Sequence, residues 1–219
     1  MTLCQSTVSQ SIDMQTVAVI DFETTGLSPA MGDRATEVAV VMVADGKIVD
    51  RYQSLMNAGA YIPAFIESLT GISNAMIRKA PPVAEVMREL AAFVGDVPLV
   101  AHNASFDSKF LDAEWSRINR HRRQEFACSM LLARRIYPAA PDHKLGTLVS
   151  HLKLPSAARH HRALADAEMT AHLWVRMVSD IKQKYSISAV PHDFLCTLQK
   201  VPKTQINRCI ERAKQKPGV

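Results

Sequence analysis

The chain has 219 residues, of which 47% are hydrophobic and 21% charged, the composition of an ordinary soluble globular protein. No apolar run approaches the length of a membrane helix, the first 16 residues lack the basic start and apolar core of a secretion signal, and Cys4, Cys128, Cys196 and Cys209 form no CxxC pair, so a membrane protein, a disulfide framework and a zinc site are all disfavoured and a cytoplasmic protein with reduced thiols is expected. The net charge of +5 resides in residues 199–219, where six basic side chains face Glu211 alone.

Residues 1–14 are polar and are expected to form a disordered arm, followed by an ordered domain over 15–183 and a basic C-terminal segment over 184–219. The first strand is expected over 17–23, within VAVIDFETTGLSP. At its end stand Asp21 and Glu23, whose i, i+2 spacing sends both side chains to one face. Two acids buried so close repel, and either take up protons or require a cation. A strand ending in water with both acids solvated is the alternative. Thr24, Thr25, Gly26 and Leu27 then form a turn in which Gly can take positive φ, with N–H groups and hydroxyls free to meet a ligand.

Two further strands are expected over 35–43 and 47–56, separated by Ala44, Asp45 and Gly46. Residues 63–79 read as irregular or as short helices. Pro81 and Pro82 open a helix with Val83, Val86, Met87, Leu90 and Phe93 at helical spacing, and Gly95 ends it. A short buried strand at 98–101 leads into a helix over 104–118, with Phe106, Phe110, Leu111 and Trp115 on one face. Asn103 precedes that helix and Asp107 lies one turn in. A strand at 126–129 and helices at 130–136, 144–152 and 163–181 complete the series. Strands interleaved with helices in this way predict a mixed α/β sheet covered by helices. The segment RHHRALADAEMTAHLW (159–174) holds His160, His161 and Asp166. Taken singly, Asp107 could be an acid favoured by a helix dipole and His161 a surface histidine.

In order, two acids, a third acid, and a histidine five residues before a fourth acid resemble the motifs of the DEDDh 3′–5′ exonucleases, the family of the bacterial polymerase III epsilon proofreading subunit. IDFETTG resembles the first motif, HNASFD the second, and His161 to Asp166 the third. LTGISNAMIRKAPPVAEVM and HKLGTLVSHLKLP resemble the segments between them. The resemblance runs from residue 17 to about 180 and implies an RNase H-like fold, a mixed five-stranded sheet flanked by helices.

It also implies roles. Asp21, Glu23 and Asp166 would ligate one divalent ion, Mg²⁺ or Mn²⁺. Asp21 would reach a second, about 3.5–4 Å away, and Asp107 would bind that one directly or through water. His161 would act as general base toward the attacking water, an imidazole being suited to proton transfer near neutral pH. His160 receives no role. Thr24, Thr25, Gly26, Leu27, Phe65, Asn103, Phe106 and His161 would surround the 3′-terminal nucleotide, with apolar or aromatic side chains stacking on a base. The implied reaction removes nucleoside monophosphates from the 3′ end of single-stranded or frayed DNA. A 3′–5′ exoribonuclease, or a proofreading subunit acting with a polymerase, is the alternative, with a polymerase or a second copy of the chain as protein partner. For the C-terminal segment two readings stand side by side: an arm that contacts phosphates, or a short helix docked through Ile206, Cys209, Ile210 and Ala213 with its basic residues solvated.

Overall fold

Alternation decides which way the first strand faces. In β1 (Val17–Thr24), Val17 and Val19 enter one apolar cluster, while Ala18, Ile20 and Phe22 enter another on the opposite side of the sheet. The computed structural model describes residues 15–156 and 161–215. The arm expected over 1–14 and His160 lie outside them.

β1 pairs antiparallel with β2 (Ala35–Ala44), which pairs antiparallel with β3 (Lys47–Leu55). On its other side β1 pairs parallel with β4 (Leu99–Ala101), and β4 pairs parallel with β5 (Phe126–Cys128). The order β3-β2-β1-β4-β5 is the mixed five-stranded sheet expected from the sequence. Central β2 is apolar on both faces because helices cover both. Over 63–79 the chain forms α1 (Ala64–Thr70) and α2 (Asn74–Lys79), which bury Ile62, Ile72 and Ile77 in a small cluster of their own.

One layer consists of α3 (Val83–Val94) and α4 (Ala104–Ser116), packed on Ala18, Ile20 and Phe22. The other contains α5 (Ser129–Ile136), α6 (Leu145–His151) and the long α7 (Ala163–Tyr185), packed on Val17 and Val19. Because Asp21 and Glu23 continue the face of Val17 and Val19, they are directed toward the α7 layer. Among the described residues no helix is long and apolar enough to cross a membrane.

The division placed at residue 183 falls inside α7. Beyond it, α8 (His192–Leu198) and α9 (Ile206–Lys214) bury Phe194, Leu195, Leu198, Ile206, Ile210 and Ala213 in the same cluster as Val17 and Val19. Between these helices, Gln199 accepts a hydrogen bond from the Cys128 backbone N–H (2.5 Å) and donates one to the Phe126 carbonyl (3.0 Å), both on β5. The docked-helix reading therefore describes α9, whose Arg208, Arg212 and Lys214 lie on the exposed side, away from the stripe. Burying two isoleucines contributes roughly 4 kcal/mol. Deleting 199–219 is accordingly expected to lower the melting temperature by about 8–16 °C, at 2–4 °C per kcal/mol for a chain of this size. A melting curve beside a salt titration of nucleic-acid binding checks this. An unchanged melting temperature with a flattened salt slope would favour the phosphate-contacting arm instead.

Candidate active site

The β1 carboxylates meet a third from across the layer. Oxygen atoms of Asp21, Glu23 and Asp166 lie within 4.8 Å of one another. Asp166 occupies the first turn of α7, where the helix dipole favours a negative charge, and its Oδ2 accepts the backbone N–H of His161 at 2.9 Å. His161 is exposed and adopts a left-handed backbone, φ 62°. Asp107 comes from the opposite layer, in the first turn of α4, and at 2% exposure is almost fully buried. Its Oδ1 accepts the Phe22 N–H at 3.2 Å, which places it against the strand between the two β1 acids.

Packing four acids together has an electrostatic cost. Burial raises the pKa of Asp21 well above the carboxylate range, and Asp107, Asp166, Glu23 and Glu37 push it further in the same direction. Glu23 rises to about 8, chiefly through burial and then through Asp166 and Glu37, with Arg162 opposing. Asp107 rises to about 8 through burial, despite the backbone donors that favour its ionised form. A half-buried set of oxygen ligands that repel one another suits a hard divalent cation, whose charge removes the repulsion.

Metal removal should expose this strain. A carboxyl whose folded pKa exceeds its unfolded value binds more protons in the native state, so its contribution is intact below about pH 4.5 and is lost as pH rises through about 8. In chelator, the melting temperature is expected to fall between pH 5 and pH 8.5, and Mg²⁺ or Mn²⁺ should abolish most of that fall. Melting curves with and without metal test it, and a flat metal-free profile would contradict the arrangement.

Beside the acids opens a cavity of about 560 Å³, lined by Asp21, Asp166, His161, Asn103, His102 and Lys144 among others. Asn103 also has a left-handed backbone, φ 68°, just ahead of α4. His102 lies between Ser129 Oγ (2.8 Å from Nδ1) and the His143 carbonyl (3.0 Å from Nε2). A carbonyl only accepts, so Nε2 carries the proton and Nδ1 accepts from the serine hydroxyl. Burial lowers the pKa of His102 to about 4, which keeps it neutral. The ring thereby ties the end of β4 to the loop that presents Lys144.

The TTG turn differs from expectation in its hydroxyls, which are engaged within the turn rather than free to meet a ligand. Gly26 is not at positive φ. A Cβ there would stand 2.4 Å from the Asp33 carboxylate, which accepts the Ser28 N–H at 2.9 Å and closes the turn, so any larger residue would have to displace that carboxylate. Thr24 and Thr25 are buried and their hydroxyls serve the turn: Thr24 donates to the Gly26 carbonyl, and Thr25 accepts the Arg34 N–H. Arg34 anchors the assembly through two hydrogen bonds to Glu114 on α4, at 2.8 and 2.9 Å. Leu27 is 81% exposed and Phe65, on α1, 73% exposed, whereas Phe106 is half-buried against Phe110. None of these three side chains lines the cavity.

Four residues were given no role from the sequence: His102, Lys144, Glu37 and Arg162. Glu37 could have been noticed, since a lone acid inside the apolar strand ATEVAVVMVA needs a partner.

Comparison with known proteins agrees with this architecture. The exonuclease family model RNase_T matches residues 18–174. The DNA polymerase III PolC-type protein of Bacillus cereus is 39% identical over 171 residues, covering 78% of this chain and 12% of that protein. Thus the chain spans about an eighth of the length of such relatives. Among solved structures, Exonuclease X in complex with 5′ overhanging duplex DNA is 32% identical, with a TM-score of 0.62 over 74% of this chain and 91% of that one. The nuclease domain of 3′hExo, a DEDDh family member bound to rAMP, gives a TM-score of 0.63 at 23% identity, over 76% of this chain and 93% of that one, and shows the same RNase H-like fold.

Proposed function

The chain belongs to the exonuclease family matched over residues 18–174, and we propose that it removes nucleoside monophosphates from the 3′ end of DNA, with single-stranded or frayed ends preferred. It is a 3′–5′ exonuclease, a phosphodiester hydrolase that depends on divalent metal. The convergence of Asp21, Glu23 and Asp166 within 4.8 Å carries this reading, because three mutually repelling carboxylates form a site that a divalent ion completes.

Asp21, Glu23 and Asp166 would hold one ion, and Asp21 with Asp107 a second. All-oxygen ligands favour Mg²⁺ or Mn²⁺. When bound, the ions neutralise the acids and offset negative charge developing on the scissile phosphate. The remaining work belongs to side chains. His161, exposed at the cavity mouth, takes the proton of the attacking water, while the Asp166 carboxylate holds its backbone in place. The TTG turn, fixed by Asp33 and by Arg34 on Glu114, offers its backbone to the terminal nucleotide, and exposed Leu27 and Phe65 offer apolar surface to a base. Asn103 lines the cavity, and Phe106, packed on Phe110, would meet the nucleotide from α4.

DNA is favoured over RNA because the 39%-identical PolC-type relative is named a DNA polymerase and the 32%-identical Exonuclease X structure contains DNA. The first of these also makes a polymerase the protein partner to look for. The deciding experiment incubates purified protein with 5′-end-labelled DNA and RNA oligomers in Mg²⁺, Mn²⁺ or chelator. A ladder of products shortened one nucleotide at a time from the 3′ end, faster on DNA and absent in chelator, is expected. Faster cutting of RNA would move the assignment to an exoribonuclease, and hydrolysis that persists in chelator would overturn the metal-dependent mechanism.

A further inference from the structure

Glu37 stands opposite Glu23 in the β1–β2 ladder and is completely buried, yet it is not one of the three carboxylates that converge. Its oxygens are already engaged. Oε1 accepts Arg162 Nη2 (2.8 Å) and Gln53 Nε2 (2.8 Å), while Oε2 accepts Arg162 Nε (3.1 Å) and the Ala163 backbone N–H (3.1 Å). Four donors saturate the carboxylate, two of them from a guanidinium gripped as a fork. This acid therefore holds protein.

What it holds is informative. Arg162 and Ala163 directly follow His161 and open the first turn of α7, which carries Asp166. His161 sits in a left-handed conformation that an L residue adopts only at a cost, so its neighbours must impose it. On one side the Asp166 carboxylate takes the His161 N–H; on the other, Glu37 fixes the next two residues to β2. The pair joins a buried carboxylate to a guanidinium that is 29% exposed, so desolvation of the acid offsets much of the attraction and the pair adds little net stability.

We propose that the Glu37–Arg162 pair is a positioning device, which sets His161 and Asp166 in register with Asp21 and Glu23. Neither residue of the pair touches substrate. The role rests on the exonuclease reading of the same site, so the test includes a measurement that does not depend on turnover.

Arg162→Met and the double variant Glu37→Met with Arg162→Met are compared with wild type for kcat, KM, Mn²⁺ affinity of the metal-free protein by calorimetry, and melting temperature. Arg162→Met, which leaves Glu37 without its charge partner, should lower kcat by about 10–100-fold with KM within about threefold, and weaken Mn²⁺ binding by a similar factor, the range found for residues that orient metal ligands. The double variant should recover melting temperature without recovering kcat or Mn²⁺ affinity. A role in folding alone would show the reverse, with both recovered as stability returns, and that result overturns the proposal. So does a rise in KM at unchanged kcat, which would mean direct contact with substrate. If Arg162→Met does not fold, the double variant alone decides. Should wild-type protein bind Mn²⁺ and cut no nucleic acid, the functional reading fails, whereas the loss of Mn²⁺ affinity still tests the clamp.

Discussion

Replacing Asp21 with asparagine is expected to abolish most hydrolysis while raising the melting temperature of the metal-free protein. Asp21 is the centre of the repulsion, raised by burial and by Asp107, Asp166, Glu23 and Glu37 together. Asparagine keeps the shape and removes the charge, so the chelated protein at pH 8 should gain stability, by about 2–4 °C for each kcal/mol relieved. The same change removes an anionic ligand. Divalent metal contributes several kcal/mol to stabilising a phosphoryl transition state, and a loss of about 4 kcal/mol corresponds to roughly a 10³-fold fall in rate. Turnover at saturating Mg²⁺ and melting in chelator, measured on one preparation, test both halves. Activity within tenfold of wild type would remove Asp21 from the ligand set, and a lowered melting temperature would show that its charge is compensated in a way the geometry does not display. Glu23→Ala and Asp166→Ala should lose hydrolysis similarly.

The second large effect concerns His161. Substituting alanine should reduce kcat by about 10²–10⁴-fold with little change in KM, the range for loss of a general base. Since the residue is exposed and at positive φ, His161→Asn is the better control for folding: asparagine tolerates the left-handed backbone and cannot take up a proton at neutral pH. Both variants should lose rate alike. His160→Ala should lose little, and equal losses at 160 and 161 would mean that the base has been assigned to the wrong neighbour.

Much of this site could be read before folding, for a definite reason. β1 alternates strictly, so the face of Val17 and Val19 runs on to Asp21 and Glu23, and a two-residue period suffices to place both acids together. Asp166 follows His161 by five residues within one helix start, which is also local information. What stayed hidden depends on distant pairing. Glu37 meets Arg162 across 125 positions, and His102 meets His143 across 41, so no window of sequence contains either pair. Gly26 was legible as a glycine but not for its surroundings: the carboxylate that a side chain there would have to displace is seven residues away, at the far side of the turn. In the C-terminal segment, charge dominates composition, whereas the stripe of Ile206, Ile210 and Ala213 is what the core accepts. Charge counts report on solvent contact and say nothing about the face turned away from it.

The two hydrogen bonds that Gln199 makes to β5 have a wider consequence. A primary amide has a carbonyl acceptor and N–H donors, the two kinds of group that a peptide unit pairs with, and here it occupies the places where a sixth strand would begin. β5 is only three residues long, so a single side chain blocks much of the rail along which another chain could add itself. The sheet is thus terminated by a borrowed amide, which spares it a sticky border on its parallel side.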